Sequence, residues 1–120
     1  MLRAFVIALA AAAASVPASA QTVVDGSARA LAAGQLEHIF KLAAERIRDA
    51  ASAQYRNIRR AQTTSTIYCG EVSSGDTGGR FVPFAANLSG GVLWVALPGQ
   101  SPQVREQHQL RLVGFGCARP

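Results

Sequence analysis

The first twenty residues limit what the rest of this chain can become. Arg3 supplies a positive start, Ala4 to Val16 is an uncharged, alanine-rich run, and Pro17 breaks any helix ahead of Ala18-Ser19-Ala20. That order is the pattern of a Sec signal peptide, with cleavage between Ala20 and Gln21. About thirteen apolar residues fall short of the roughly twenty a spanning helix needs, so a leader is expected rather than a membrane anchor. No cysteine follows the cut, which argues against a lipid anchor, and no later segment is apolar for long enough to cross a bilayer. The expectation is a periplasmic or secreted protein, with residues 1–20 as signal peptide and 21–120 as a single small domain.

Two consequences bear on folding. Loss of the leader from a 120-residue chain leaves 100 residues, too few for a Rossmann enzyme, a TIM barrel or a two-domain architecture. A chain of that size buries somewhat over about 60% of its unfolded surface, a real but modest core. Export also delivers the chain to an oxidising compartment, where its two cysteines, Cys69 and Cys117, are expected to form one disulfide. The alternative, a reactive thiol, has no CxxC to support it. Two cysteines without two suitably spaced histidines make no structural zinc site.

From Ser27 to about Asp49, Leu31, Leu36, Ile39, Phe40, Ala43, Ile47 and Ala50 recur at steps of three and four, while Glu37, Lys41, Glu45 and Arg48 occupy the other face. This spacing predicts one long amphipathic helix, with Gly34 as an interruption. Thr64 to Val72 is rich in β-formers, Phe81 to Ala86 suits a second strand with Pro83 forcing an edge or bulge, and Val92 to Leu97 reads as a strand near the sheet centre. Ser73 to Gly79 has loop composition and Asn87 to Gly91 reads as a turn. Pro98 to Gln109 is polar and reads as a loop with one helical turn, and Leu110 to Val113 as a last short strand. The fold expected is α+β: an N-terminal amphipathic helix packed on a three- to four-stranded antiparallel sheet, with one disulfide.

The stretch Asp49-Ala-Ala-Ser52-Ala53-Gln54-Tyr55-Arg56-Asn57-Ile58, then Tyr68-Cys69-Gly70-Glu71-Val72, then Gly78-Gly79 and Pro83-Phe84, resembles a family of small exported proteobacterial proteins of unassigned function. The family pattern runs approximately D-P-x-S-A-x-F-R-N-V, C-G-E-V-N, a G-G-Y/F loop and P-F, and the likeness covers about residues 37–86. Ala50 stands where the pattern has proline, Ser73 where it has asparagine, and the glycine loop is shorter. The resemblance implies a single small exported domain and supplies no reaction.

The motifs themselves carry little catalytic chemistry. His38 and His108 have no HxxxH pairing, so no metal or other cofactor is expected. Ser73, Ser74 and Asp76 lie close in sequence, but there is no G-x-S-x-G elbow, and Gly75 to Gly79 lacks the lysine of a phosphate loop. Glu71 is a carboxylate inside a strand. If it faces inward it needs an arginine, with Arg56, Arg59 or Arg80 in reach.

Arg46, Arg48, Arg56, Arg59 and Arg60 form a basic cluster, and loss of Arg3 with the leader takes the net charge from +5 to +4. Export argues against nucleic acid as a partner and favours an anionic envelope surface or an envelope protein. The expected function is a non-enzymatic binding module of the cell envelope, with Arg56, Arg59, Arg60, Glu71 and Asp76 as candidate binding residues. The alternatives are a small envelope-polymer hydrolase using Glu71 and Asp76, or a secreted effector or inhibitor. Hydrolysis of a glycan needs two carboxylates about 5–10 Å apart across a cleft.

Overall fold

The computed structural model describes residues 21–120; the expected leader and the Ala20 side of its cut lie outside them. Five strands, β1 (Thr22–Val23), β2 (Gln54–Arg60), β3 (Ile67–Ser73), β4 (Val82–Asn87) and β5 (Val92–Val95), form one sheet in the order β1-β2-β3-β4-β5. Two α-helices accompany it, α1 (Ala33–Ala44) and α2 (Pro102–Gly114). The class is α+β with one disulfide, but the sheet is not the expected three- to four-stranded antiparallel one. It has five strands and is mixed, because β1 runs parallel to β2 while the other neighbours are antiparallel.

Strand alternation sends successive side chains to opposite faces, and here both faces are used. Tyr68 and Val72 of β3, Phe84 and Ala86 of β4 and Leu93 and Val95 of β5 meet Ile39, Leu42 and Ala43 of α1. Ile67 and Cys69 of β3 and Ala85 of β4 meet Leu112 of α2 and Cys117 on the opposite face, with Trp94 of β5 alongside. Phe84 and Tyr55, both fully buried, meet edge to face with ring centroids 5.9 Å apart. Gly70 of β3 is the close approach this packing needs: a Cβ there would lie 2.6 Å from the Phe84 ring.

The single helix expected over 27–49 is not present. A 3-10 turn occupies Ser27–Ala30, the chain then extends at Leu31 and Ala32, and α1 covers only 12 residues. The cause is competition for polar groups. Asp25 accepts the Asn57 N–H at 2.9 Å and the Ser27 hydroxyl accepts the Ile58 N–H at 2.9 Å, tying this segment to a bulge in β2. At the other end, Arg48 and Asp49 donate their N–H groups to the Asp76 carboxylate, at 2.8 and 3.1 Å, instead of continuing the helix.

Two further expectations are corrected. Residues 102–114, read as loop and strand, form α2, started by the Ser101 hydroxyl accepting the Val104 N–H at 3.2 Å and by Pro102 in the first turn. β5 lies at the sheet edge rather than its centre. Its Val95 carbonyl accepts the Gln100 side-chain amide at 3.1 Å and the His108 ring N–H at 3.0 Å, which blunts part of that edge. Pro83 pairs with β3 at Glu71 and lies past the last residue of β5, so no ladder on that side needs its missing N–H. Cys69 and Cys117 are bonded, with Cα atoms 5.0 Å apart, and fasten the chain after α2 onto β3.

Candidate binding surface

β2 carries the basic residues, and its register decides where they point. Directly opposed residues on neighbouring strands share a face. Arg56 opposes Glu71 and Arg59 opposes Cys69, on the α2 side, whereas Arg60 opposes Tyr68, on the α1 side. Arg56, Arg59 and Arg60 therefore do not form one face. The bulge between Arg56 and Arg59, where Asn57 takes a positive φ of 58°, keeps Tyr55 and Ile58 buried on the α1 side although they stand three apart.

Each arginine has its own surroundings. The Arg56 Nε donates to Glu71 Oε1, and its guanidinium lies 4.0 Å over the Phe81 ring. Glu71 thus finds the first of the three partners its sequence position suggests. With side chains 31% and 46% exposed, the pair is screened by water and contributes at most about 1 kcal/mol to stability. Arg59 donates to the Asn57 carbonyl at 3.1 Å and is exposed. Arg60 donates to the Tyr68 hydroxyl at 3.1 Å.

Asp76 serves the backbone. Besides the Arg48 and Asp49 N–H groups it receives, its own turn is tied back by Asp49, whose carboxylate accepts the Gly75 N–H at 3.3 Å and the Ser52 hydroxyl at 2.8 Å. The Ser73 to Gly79 segment, read as a loop, carries a hydrogen-bonded 3-10 turn over Gly75–Thr77 after the end of β3, with Ser74 and Thr77 buried. Gly78 and Gly79 follow it at φ of 68° and 81°, a conformation that favours glycine. Asp76 also lines an open cleft of about 780 Å³ with Arg46, Arg48, Glu45 and Gln100. Glu71 is not among the cleft's residues, so the two carboxylates proposed as a pair are not gathered into it. Two arginines face two carboxylates there, and the cleft is not a basic pocket.

At the start of the sheet, the Tyr55 hydroxyl donates to the Gln21 side-chain oxygen, and the Gln21 amide reaches the Phe40 carbonyl at 3.4 Å. Burial pushes the Tyr55 phenol well above its ordinary value, so it stays protonated. Asp25 moves the other way: the Ser27 hydroxyl first, and the Asn57 N–H after it, hold its carboxyl below the ordinary 3.8. Phe81 and the Asp49–Asp76 clasp were not legible in the sequence, because both depend on how the β3–β4 connection folds back. Among the described residues no group of three or more histidine, cysteine, aspartate or glutamate side chains is placed to hold a metal ion.

These features describe a small disulfide-fastened α+β protein in which three aspartates serve the backbone and Glu71 holds Arg56. No family model, curated protein or solved structure matches the chain.

Proposed function

We propose that the protein is a non-catalytic binding module, exported to the periplasm or the medium, that holds an acidic or anionic component of the cell envelope. One observation carries the reading. Asp25, Asp49 and Asp76 are engaged by backbone N–H groups and Glu71 by Arg56, and that is the single ion pair among the described residues. Among the described residues the remaining basic side chains are thus left without a carboxylate in ion-pair contact, and a net positive surface is drawn to anions. The disulfide, and the lack among the described residues of a helix long and apolar enough to cross a membrane, support the exported setting.

The test uses the protein recovered from cells expressing the full chain, whose mass should correspond to a species starting at Gln21. Incubated with an isolated envelope fraction, it should sediment with the envelope at about 0.1 M salt and be released at about 1 M, where screening shortens from roughly 10 to 3 Å. Absence of retention at both salts overturns the reading. Release of soluble polymer fragments, abolished by Asp76→Asn, replaces it with a hydrolase.

A further inference from the structure

We propose that the part of the sheet left bare beside α2 is the docking face for an extended acidic segment of a partner protein, with Arg56 and Arg59 gripping its carboxylates. The proposal rests on the binding-module reading and names its site and partner class.

The face is defined by what α2 leaves uncovered. α2 packs on β5 and β4, and the disulfide holds the chain beyond it at Cys69. Beside that contact, Gln54, Arg56 and Arg59 of β2 are exposed, while Glu71, Phe81 and Pro83 are half-buried. Cross-strand pairing puts Arg56, Glu71 and Pro83 in one row, and Phe81 joins them under the Arg56 guanidinium.

Arg56 is held for a purpose its weak ion pair does not explain. Glu71 engages only its Nε, and Phe81 supports the guanidinium plane from one side, so the terminal nitrogens project as an oriented fork with no acceptor among the described residues. A guanidinium fixed in this way loses little freedom on pairing with a carboxylate. Arg59 stands next along the same face, opposite Cys69, two β3 residues from Glu71. Two residues of strand span roughly 7 Å. Acidic side chains at alternate positions of an extended chain repeat at that same spacing. Phe81 and Pro83 give the row an apolar floor, against which the intervening backbone can lie.

The shape favours a protein segment over a lipid surface. A helix about 10 Å across stands on the neighbouring strands, so the bare face is the low side of a step. A strand-like segment fits along such a step more readily than a flat headgroup layer does.

The experiment compares an extended peptide with glutamate at alternate positions, its glutamine counterpart, and phosphatidylglycerol vesicles, each titrated with the protein at low salt. The glutamate peptide should bind and the glutamine peptide should not. Arg59→Ala should weaken binding about tenfold, the loss of one charge-assisted contact. Arg56→Lys, which keeps the charge but not the fork, should weaken it as well, and Arg46→Ala, in the cleft, should not. Unchanged thermal melting of Arg59→Ala shows that folding is not the cause. Vesicle binding that depends on Arg59 while the peptide fails to bind overturns the proposal in favour of lipid. Absence of peptide binding, or peptide binding that survives Arg59→Ala, overturns it outright. The binding-module reading falls only if retention on the envelope fraction fails too.

Discussion

Removing the cross-link with Cys69→Ala and Cys117→Ala is expected to cost about 4 kcal/mol, and the loss should begin at α2. The bridge joins residues 48 apart. Opening a loop of that length returns about 14 cal/mol/K of chain entropy to the unfolded state, or about 4 kcal/mol at room temperature. Domains of this size hold only about 5–15 kcal/mol in all. At roughly 5 °C per kcal/mol, the melting temperature should fall by about 20 °C. The structure also says where protection disappears first. Leu112 is the one buried residue of α2, backed by Phe115 against Trp94 with ring centroids 4.9 Å apart, while Leu110 is 64% exposed. Without the bridge, α2 keeps that small apolar contact and a few polar ones, the His108 ring on the Val95 carbonyl and the Thr63 hydroxyl on the Phe115 carbonyl among them. Urea melts of the oxidised protein and the double variant give the free energy, and amide exchange resolves the helix. A difference under about 1 kcal/mol would refute the entropy argument. Slow α2 exchange in the variant, equal to that of β3, would refute the claim that the helix is weakly held.

Gly70→Ala should destabilise by about 1–3 kcal/mol, since its Cβ would meet the Phe84 ring at 2.6 Å and Ile58 at 3.3 Å. A denaturation midpoint equal to that of the wild type would show that Phe84 can move aside. Because the folded carboxyl of Asp25 sits below the ordinary 3.8, the stability it contributes is complete above that value and lost as pH falls through the folded value. The stability gap between wild type and Asp25→Asn, measured by denaturation, should accordingly be open near pH 6 and shrink near pH 2; a constant gap would contradict the bonds to Ser27 and Asn57. Of the chain's two tyrosines, Tyr55 should stay un-ionised when alkaline titration is followed by absorbance, because burial disfavours its phenolate. Ionisation of both near pH 10 in the folded protein would count against its placement.

The parts of the fold legible in the sequence are those whose stability comes from local pattern. β3 is a run of β-formers, the Asn87 to Gly91 turn ends in a glycine at φ of 69°, and the two cysteines leave one pairing. β2 defeats pattern reading. Its sequence QYRNIRR has Tyr55 and Ile58 buried at a spacing of three, and only the bulge at Asn57 makes that compatible with a strand. β1 is two residues long and carries no period. α2 buries one residue, so its apolar spacing is silent, although Ser101-Pro102 is a start signal that composition masked. For the candidate site, adjacency in sequence misled in one respect. Arg59 and Arg60 look like one patch, yet strand alternation sends them to opposite faces, where Cys69 and Tyr68 are their neighbours.

The positive surface follows from how this small fold closes its loose ends. At three places where a regular ladder stops, an acidic side chain takes over the unpaired N–H groups: Asp25 at the β2 bulge, Asp76 beyond α1, and Asp49 at the β3–β4 turn. Backbone N–H groups released from a ladder are strong donors, and a nearby short carboxylate is a strong acceptor for them even at the surface. Those acids are therefore held at the chain's turns and do not reach the arginines along β2. Glu71 is the exception, because it stands on the ladder itself, and it orients Arg56 while leaving the terminal nitrogens of that guanidinium without an acceptor among the described residues. A requirement of folding and the proposed docking function thus meet in one allocation of carboxylates. A new acid placed two residues from Arg56 on the same face of β2 by Gln54→Glu would therefore compete with a partner's carboxylates for that guanidinium without disturbing any turn, and should weaken binding of the glutamate peptide while leaving the melting temperature unchanged.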